Sequence, residues 1–362
     1  MFSNIYSGKK VLVTGHTGFK GSWLCAWLEM LGAEICGVSL EMETVPNHFQ
    51  LLSPDFRSEI CDICDAGKLQ KIFADFQPET VFHLAAQPIV RLSYAEPVRT
   101  FESNVMGTVN VLEACRLNPS VRAVVAISSD KCYENREQFA GYREEDPMGG
   151  YDPYSASKGC TELVISSYRR SFFNPSSYGK SHNILLASGR AGNVIGGGDW
   201  AQDRLVPDLM RAASESREAV IRSPQSVRPW QHVLEPLGGY LLLGEKLLQA
   251  DVSTAEAWNF GPDDDGVICV QQAAEALQKT WHSIRIKIDP PENQPHEAKL
   301  LRLDCSKARE RLHWHGVLSP EQTFEMTSEW YKLFYEKNQI ITQKQIEQYI
   351  SYAQKRGLSW TK

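Results

Sequence analysis

A glycine-rich segment near the N-terminus constrains the fold more than any other feature of this sequence. It follows the apolar run Val11-Leu12-Val13 and precedes a stretch of helical spacing that starts at Ser22. Glycines at such a point allow a tight turn and let backbone N–H groups approach a diphosphate at a helix N-terminus. The pattern is Gly-x-x-Gly-x-x-Gly, one residue different from the usual dinucleotide fingerprint, and consists of Gly15, His16, Thr17, Gly18, Phe19, Lys20 and Gly21. It predicts a strand, a turn and a helix that together bind a dinucleotide.

Short apolar runs alternate with amphipathic stretches through the first half of the chain. Residues 81–84 and 123–127 are typical of buried strands, and residues 21–31 and 101–116 are typical of helices. Strands that alternate with helices form right-handed crossover units around a parallel sheet covered on both faces. The sequence therefore predicts an α/β fold with a doubly wound parallel Rossmann sheet.

The alternation loosens after about residue 188, and this change sets the predicted domain organisation. Residues 1–188 are expected to form the Rossmann domain, to which a segment near 225–262 can return. A smaller C-terminal α/β lobe over 189–340 is expected to bind the substrate, followed by a C-terminal helix and tail over 341–362. The charged helical stretch from 318 to 355 is predicted to lie on the solvated surface.

Composition and charge exclude several classes of function. The net charge is -6 and there is no basic arm or stripe, so no nucleic-acid partner is expected. The first ten residues lack the apolar core of a secretory signal, and no apolar run approaches the ~18 residues of a membrane span. A cytoplasmic protein with no membrane partner is expected, in which the nine cysteines are reduced. Cys61 and Cys64 have no second pair at zinc-ligand spacing, so no metal site is predicted.

The second predicted strand, residues 35–40, bears on which dinucleotide is bound. An Asp or Glu at its end would hold the adenosine ribose, but the strand ends without one, and Glu41 and Glu43 follow shortly after. The absence of an Arg in this stretch disfavours a 2′-phosphate and favours NAD over NADP. Asp62 and Ile63, at the end of the next strand, are candidates for contact with the adenine.

Two groups of residues predict the reactive centre. Tyr154 and Lys158 are four residues apart and so are expected on one face of a helix. An ammonium beside a phenol, together with a positive nicotinamide ring, favours phenolate, and the pKa of the tyrosine is expected to fall toward neutrality. Ser129, Asp130 and Lys131 follow a buried strand, at the sheet edge where open α/β folds bind ligands. The hydroxyl, the carboxyl and the amine of these three residues suit elimination of water, which needs an acid and a base.

Five segments give the chain a resemblance to a known family. They are residues 13–23, Phe82-His83-Leu84-Ala85-Ala86-Gln87, Ser129-Asp130-Lys131-Cys132-Tyr133-Glu134-Asn135, residues 190–200 and Arg228-Pro229-Trp230-Gln231-His232-Val233. On these residues the chain resembles the extended short-chain dehydrogenase/reductases, and within them the nucleotide-sugar 4,6-dehydratases that act on CDP-linked glucose. The resemblance spans residues 11 to about 240, and beyond 260 only His296-Glu297-Ala298 and Leu303-Asp304 carry it.

The resemblance implies a redox-neutral reaction on a CDP-linked hexose, with NAD recycled in each turnover. Tyr154, supported by Lys158, would take the C4 hydroxyl proton while hydride passes to NAD, and Ser129 would hydrogen-bond the C4 oxygen. Asp130 would protonate the departing C6 hydroxyl, and hydride would return to C6. Lys131 stands where related dehydratases have Glu, and it is either the base at C5 or a stabiliser of the enolate. The product would be a 4-keto-6-deoxy sugar for O-antigen and lipopolysaccharide biosynthesis.

Further residues are expected to bind the two ligands. Guanidinium groups match phosphate geometry, so the candidates for the substrate diphosphate are Asn193, Arg204 and Arg228. The candidates for the sugar, which follow a buried strand, are Gln87, Arg91 and Ser93. The cofactor site is completed by Leu84, Ala85, Ala86 and Asn104.

Helices like 101–116 and 154–170 pair subunits in this family, so a homodimer or homotetramer is expected. The main alternative function is a nucleotide-sugar 4-epimerase, which would share Tyr154 and Lys158 but would not need Asp130 and Lys131 as an acid–base pair. A second alternative is a catalytically idle NAD-binding sensor. Such a protein would have no physical reason to retain the tyrosine, lysine, aspartate and serine together.

Overall fold

The computed structural model describes residues 1–42, 44–138, 140–289 and 301–362. Glu43 and His296-Glu297-Ala298, which the sequence singled out, lie outside the described residues. None of the described helices has the length and hydropathy that a membrane span requires.

The strands divide between a large sheet and short two-stranded pairings. In chain order they are β1 (Lys10–Thr14), β2 (Glu34–Ser39), β3 (Arg57–Ile60), β4 (Thr80–His83), β5 (Ala123–Ile127), β6 (Leu185–Ala191), β7 (Val194–Ile195), β8 (Glu218–Ile221), β9 (Val227–Pro229), β10 (Gln231–His232), β11 (Ala257–Phe260), β12 (Val267–Cys269) and β13 (Arg285–Ile288).

The helices follow most of these strands. They are α1 (Phe19–Met30), α2 (His48–Leu52), α3 (Ala66–Phe76), α4 (Val90–Ala95), α5 (Pro97–Phe101), α6 (Gly107–Leu117), α7 (Pro153–Ser171), α8 (Leu205–Ser214), α9 (Leu234–Leu248), α10 (Val270–Thr280), α11 (Pro320–Lys337) and α12 (Thr342–Lys355). A π-helical turn, Glu102–Met106, joins α5 to α6, and short 3-10 turns include Asp130–Cys132.

Within the described residues, the large sheet has seven parallel strands in the order β11-β6-β5-β4-β1-β2-β3. Every residue of β4, β5 and β6 is buried, which explains why these strands are apolar along their length rather than alternating. The chain reverses its direction of travel across the sheet between β1 and β4, and a crevice forms at such a point outside the carboxyl ends of the strands. The predicted doubly wound fold is confirmed.

We use the name second lobe for the three short strand pairings outside the large sheet together with α8. β7 pairs with β10, β9 with β12, and β8 with β13, and α8 packs against β8 and β13. The chain also returns to the large sheet, because β11 pairs with β6 in parallel. This lobe faces the crevice, so its loops are in position to contact a ligand bound there.

The prediction of helices over residues 318–355 is confirmed, but the prediction that they are solvated surface helices is wrong. Trp330 and Tyr331 on α11 and Tyr349 on α12 are fully buried, and Trp330 and Tyr331 pack edge-on against Trp200. The charged residues of both helices lie on the opposite face, so their number concealed an amphipathic pattern.

Candidate active site

A cavity of about 680 Å³ opens at the carboxyl ends of β1, β4 and β5 and extends to the second lobe. Its walls come from the glycine-rich loop, the residues that follow β4 and β5, the start of α7, and the segments after β6 and β9. The glycine-rich loop and the segment after β6, which are far apart in the sequence, both line this cavity.

The glycine-rich loop needs glycine at two of its three positions. Gly15 has φ +76°, and a Cβ there would lie 2.8 Å from the backbone nitrogen of Ala85. A Cβ on Gly21 would lie 2.0 Å from the carbonyl oxygen of Gly15, so α1 can begin this close to β1 only with glycine. Gly18 caps the helix. The first-turn N–H groups of α1 have no partners within the helix, so this end of the cavity fits the diphosphate of a dinucleotide.

The cavity continues from the loop along the residues that follow β2, β3 and β4. Most of the residues predicted to bind the cofactor line it, namely Gly15, Thr17, Gly18, Phe19, Lys20, Gly21, Asp62, Ile63, Leu84, Ala85, Ala86, Tyr154 and Lys158. Glu41 lines it as well, whereas the Asp62 carboxylate accepts a hydrogen bond from the backbone nitrogen of Cys64 at 2.8 Å. Among the described residues, no cluster of three or more His, Cys, Asp or Glu side chains is arranged to hold a metal ion.

His16 belongs to the loop, but its side chain turns away from the cavity. The ring is buried under β2, where a Cβ on Gly37 would lie 2.3 Å from it, and its Nε2 is 2.7 Å from the hydroxyl of Ser58. Burial lowers the pKa of His16 to about 4, so the ring is neutral. Its side chain therefore supports the strands beneath the loop, and the sequence did not show in which direction it points.

Ser129, Asp130 and Lys131 come directly after β5 and line the cavity. The Ser129 hydroxyl donates to Asp130 Oδ1 at 2.9 Å and accepts from the backbone nitrogen of Lys131 at 3.2 Å, which fixes the first turn after the strand. Burial raises the pKa of Asp130, although Lys131, Ser129, Lys20 and Arg228 act against this. A carboxyl group whose protonated form is favoured in this way is suited to donate a proton.

Tyr154 and Lys158 lie in the first turns of α7. The helix begins at Pro153, and the carboxylate of Asp152 caps it by accepting from the backbone nitrogen of Ser155 at 2.9 Å. Both side chains are buried and line the cavity, and the Lys131 ammonium is 6.0 Å from the centre of the Tyr154 ring. The helix thus places the phenol beside the groups that follow β5.

The expected fall in the pKa of Tyr154 is not found in the protein alone. Burial raises this pKa to about 12, and the hydrogen bond with Ser129 and the charge of Arg204 only partly oppose it. Burial also lowers the pKa of Lys158 to about 8. Desolvation disfavours both charged forms and outweighs the nearby charges, an effect that the i, i+4 spacing could not show.

A third lysine, Lys20 of the glycine-rich loop, shares this end of the cavity. Burial lowers its pKa to about 8, with further lowering from Arg204 and Lys158, whereas Asp130 acts in the opposite direction. The sequence predicts it as one of the cofactor-binding residues of the loop and does not indicate the direction of its side chain. The structure directs its ammonium toward the reactive centre.

The predicted substrate residues are distributed unevenly. Asn193, Arg204, Arg228, Gln87 and Arg91 line the cavity. The Arg204 guanidinium donates to Asp199 at 2.9 Å, and the Arg91 guanidinium donates to Asp203 of the second lobe at 3.1 Å. Arg204 and Arg91 therefore already contact carboxylates. A phosphate that binds either guanidinium would have to share it with the carboxylate or displace the carboxylate.

Ser93 and Asn104 do not line the cavity. Ser93 is fully buried on α4 and donates to the carbonyl of Val90 at 2.6 Å. The Asn104 side chain holds Gln87 through both backbone groups, accepting from its nitrogen at 2.7 Å and donating to its oxygen at 3.1 Å, and it also donates to Ser157 at 2.8 Å. Asn104 thus ties the segment after β4 to α7, which is a structural contact rather than contact with a ligand.

Two relationships around the reactive centre were not visible in the sequence. Glu162 and Arg190 form a buried ion pair behind Ser128, and a Cβ on Gly192 would lie 2.9 Å from Asp130 Oδ2. Both join segments that are distant along the chain. The only signal was that Glu162 continues the i, i+4 spacing of Tyr154 and Lys158.

Comparison with known proteins gives consistent results. The model of the GDP-mannose 4,6 dehydratase family matches residues 12–327. The chain is 49% identical to the CDP-glucose 4,6-dehydratase of Salmonella typhimurium over 96% of its length and 98% of that protein, and 26% identical to the dTDP-glucose 4,6-dehydratase of Shigella flexneri over 89% and 92%. Among solved structures it resembles the UDP-glucose 4-epimerase of Thermus thermophilus in complex with NAD, with a TM-score of 0.77 and 22% identity over 89% of this chain and 99% of that one.

Proposed function

The chain belongs to the GDP-mannose 4,6-dehydratase family of nucleotide-sugar dehydratases, and on that premise we propose that it catalyses the NAD-dependent conversion of CDP-D-glucose to CDP-4-keto-6-deoxy-D-glucose. The observation that carries this proposal is the placement of a buried carboxylic acid, Asp130, next to Ser129 and Tyr154 in one cavity. An alcohol oxidation alone needs the tyrosine, whereas loss of water also needs an acid.

Tyr154 is proposed to act at C4 of the sugar. It takes the proton of the C4 hydroxyl, and Ser129 hydrogen-bonds the same oxygen. The protonated Lys158, one turn further along α7, stabilises the Tyr154 phenolate. Bound NAD would supply a reversible hydride acceptor for C4 and C6. As the hydride arrives at C6, the base that removed the C5 proton would return that proton to C5.

Asp130 and Lys131 are proposed to act at C5 and C6. The ketone at C4 acidifies the C5 proton, so water can leave across C5 and C6 once the C6 hydroxyl receives a proton from Asp130. The raised pKa of Asp130 favours the protonated form that this step requires. The Lys131 ammonium lies 6.0 Å from the centre of the Tyr154 ring, which supports a role either as stabiliser of the enolate oxygen at C4 or, as a free amine, as the C5 base.

The wall facing the second lobe is proposed to bind the nucleotide diphosphate. Arg204 approaches it from the loop after β7, Arg228 from strand β9, and Asn193 from the turn after β6. Bidentate guanidinium groups suit this ligand. The choice of CDP over other nucleotides is supported by 49% identity to a CDP-glucose enzyme against 26% to a dTDP-glucose enzyme.

We further infer a homodimer or homotetramer that works in the cytoplasm and supplies a deoxysugar for surface polysaccharide such as O-antigen. All nine cysteines are free thiols, which is typical of a reducing compartment. Large apolar side chains are exposed on adjacent elements, with Val98 on α5, Met106 on the π turn and Leu163 on α7. A patch of this kind on neighbouring helices supports pairing with a second copy.

The decisive experiment incubates the purified protein with NAD and CDP-glucose and follows the nucleotide sugar by mass spectrometry. We expect loss of one water molecule without net accumulation of NADH, and loss of this activity in Asp130→Asn, which cannot donate the proton. Asn keeps the size of the side chain, so the thermal unfolding midpoint of this variant serves as the folding control. Formation of an isomer of unchanged mass would assign a 4-epimerase instead, and binding of NAD without any conversion would favour the idle sensor.

A further inference from the structure

Glu162 lies on α7, one helical turn beyond Lys158 and two beyond Tyr154, and is almost completely buried. Burying a carboxylate is costly unless it is paired and hydrogen-bonded. The Glu162 carboxylate accepts from the hydroxyl of Ser128, which is the residue between β5 and Ser129. A buried charge on the catalytic helix thus contacts the strand end that carries the proposed acid.

Two residues of β6 complete its surroundings. The Ser188 hydroxyl donates to Glu162 Oε2 at 3.0 Å, and Arg190 Nη2 donates to the same oxygen at 2.9 Å. The other arm of Arg190 donates to the Tyr133 hydroxyl at 2.7 Å, and its guanidinium lies over the Tyr133 ring, 5.0 Å from the centre. Tyr133 directly follows the short turn that contains Asp130. The ion pair therefore contacts the chain on both sides of the proposed acid.

Resting on the proposed function, we propose that Glu162 is a positioning residue of the reactive centre. Through Ser128 and Arg190 it fixes the segment that carries the proposed acid against the helix that carries the proposed tyrosine base, and its charge faces Lys158 across one helical turn. Side chains four residues apart on a helix have Cβ atoms about 5–6 Å apart. The dehydration needs both partners aligned on one sugar, so this contact bears directly on turnover.

The charges around the pair give the proposal an electrostatic consequence. Besides Lys158, Glu162 faces Arg190 of β6, Arg169 of its own helix and Cys132 after β5. Although burial alone would raise the pKa of Glu162, Arg190 and the hydrogen bonds lower it to about 2, so it stays ionised.

Lys158 has its own set of neighbours. It faces Cys132 and Glu162, and also Lys20 of the glycine-rich loop and His83 of β4. Burial lowers the pKa of Lys158 to about 8, and the influence of Cys132 and Glu162 is in the opposite direction. Cys132 is a neutral thiol because burial raises its pKa. Among these neighbours, Glu162 carries the negative charge that opposes the lowering of the Lys158 pKa by burial.

Glu162→Gln tests this consequence, because it keeps the size of the side chain and a hydrogen-bonding oxygen but removes the charge. Without the charge, Lys158 loses its proton at lower pH. We expect the alkaline limb of the kcat profile to move down by about one pH unit, with the KM for CDP-glucose unchanged. Glu144→Gln is the matched control: the Glu144 carbonyl accepts from Arg190 at 3.0 Å and its carboxylate from the Asn259 nitrogen at 2.8 Å, but the residue lies off the catalytic helix. If the Glu162→Gln profile coincides with those of the control and the unchanged protein, the electrostatic role is overturned.

A second variant covers the case in which Glu162→Gln does not fold, since it leaves Arg190 buried without its anion. Ser128→Ala removes one hydrogen bond of Glu162 and leaves every charge in place. We expect about a tenfold lower kcat with an unchanged KM and an unchanged alkaline limb. A kcat equal to that of the unchanged protein would overturn the positioning role. All effects are ratios to the unchanged protein on the nucleotide sugar that it converts, so they hold or fail separately from the proposed function, which turnover of CDP-glucose tests alone.

Discussion

At the residue scale, the position of Asp130 depends on a side chain that is missing. Gly192 follows β6 and faces the acid, and a Cβ at this position would lie 2.9 Å from Asp130 Oδ2 and 3.2 Å from the side chain of Pro229. Both distances are shorter than ordinary van der Waals contact, and Pro229 is part of a strand and cannot move freely. The carboxyl group is therefore held on one side by Ser129 and limited on the other by this glycine.

Gly192→Ala is expected to displace the Asp130 carboxyl group by a few tenths of an ångström and to lower kcat for dehydration by about tenfold or more, because proton transfer depends steeply on geometry. NAD affinity, which depends on the other end of the cavity, is expected to change little. Steady-state kinetics and NAD titration measure the two effects. Gly67→Ala on α3 is the control, since its Cβ would meet only an ordinary contact at 3.7 Å. Equal kcat values for both variants would contradict the argument.

The residues around Gly192 also show how far sequence reasoning reaches at this scale. The positions of Tyr154, Lys158 and Asp130 at the cavity were predictable. The spacing of four residues places the first two on one helix face, and the end of a strand places Asp130. His16 was assigned from its place in a motif and Ser93 because it follows a buried strand, but neither feature states on which side of the backbone a side chain packs. Gly192 gave no signal of its contact with the acid, since that contact joins residues 62 positions apart in sequence.

At the element scale, α9 and the C-terminal helices are joined through one buried carboxylate. Glu235, in the first turn of α9, accepts from the backbone nitrogens of Val317 and Leu318 at 2.9 and 2.7 Å and from the hydroxyl of Tyr349 on α12 at 2.9 Å. Burial raises the pKa of Glu235 to about 7, although these hydrogen bonds act against it. The charges of α11 and α12 had suggested solvated helices, whereas the buried carboxylate and aromatic residues fix them to the core.

The raised pKa makes stability depend on pH. A carboxyl group that binds its proton more tightly in the folded state contributes stability below its unfolded pKa of about 4.5, and this contribution is lost as pH rises through about 7. The difference corresponds to about 3 kcal/mol at ~1.4 kcal/mol per pH unit. Glu235→Gln cannot ionise, so the free energy of unfolding of the variant relative to the unchanged protein is expected to rise between pH 5 and pH 8. Urea unfolding at both values measures it, and a constant difference would show that Glu235 does not titrate in this range.

The helix predicted over 101–116 illustrates a second limit at this scale. Its periodicity was visible, but the structure begins it at Pro97 and inserts the π turn Glu102–Met106. The turn contains Asn104, whose hydrogen bonds to Gln87 and Ser157 come from two other elements. A π turn of this kind is favoured by contacts that only the assembled sheet supplies, so hydrophobic spacing could not reveal it.

At the scale of the whole molecule, the doubly wound parallel sheet was predictable because alternating strands and helices permit few arrangements. The second lobe was less predictable, since its short pairings join segments such as β8 and β13, which lie about 65 residues apart and show no alternation of their own.

The whole molecule also has an exposed apolar face on α5, the π turn and α7. Leu163 is 60% exposed and Met106 51%, on elements that pack against one another.

Leu163→Glu tests whether a second copy covers this face. A charge buried in an apolar interface is costly, so the variant is expected to elute as a monomer while the unchanged protein elutes as a dimer or tetramer in size-exclusion chromatography with light scattering. Val252→Glu, at an exposed apolar position away from these helices, is expected to keep the assembly of the unchanged protein. Because α7 also carries Tyr154 and Lys158, loss of the partner should loosen the helix on which the proposed base depends. We therefore expect the kcat of the monomer to fall together with its assembly, and full activity in a monomer would separate the apolar face from the reactive centre.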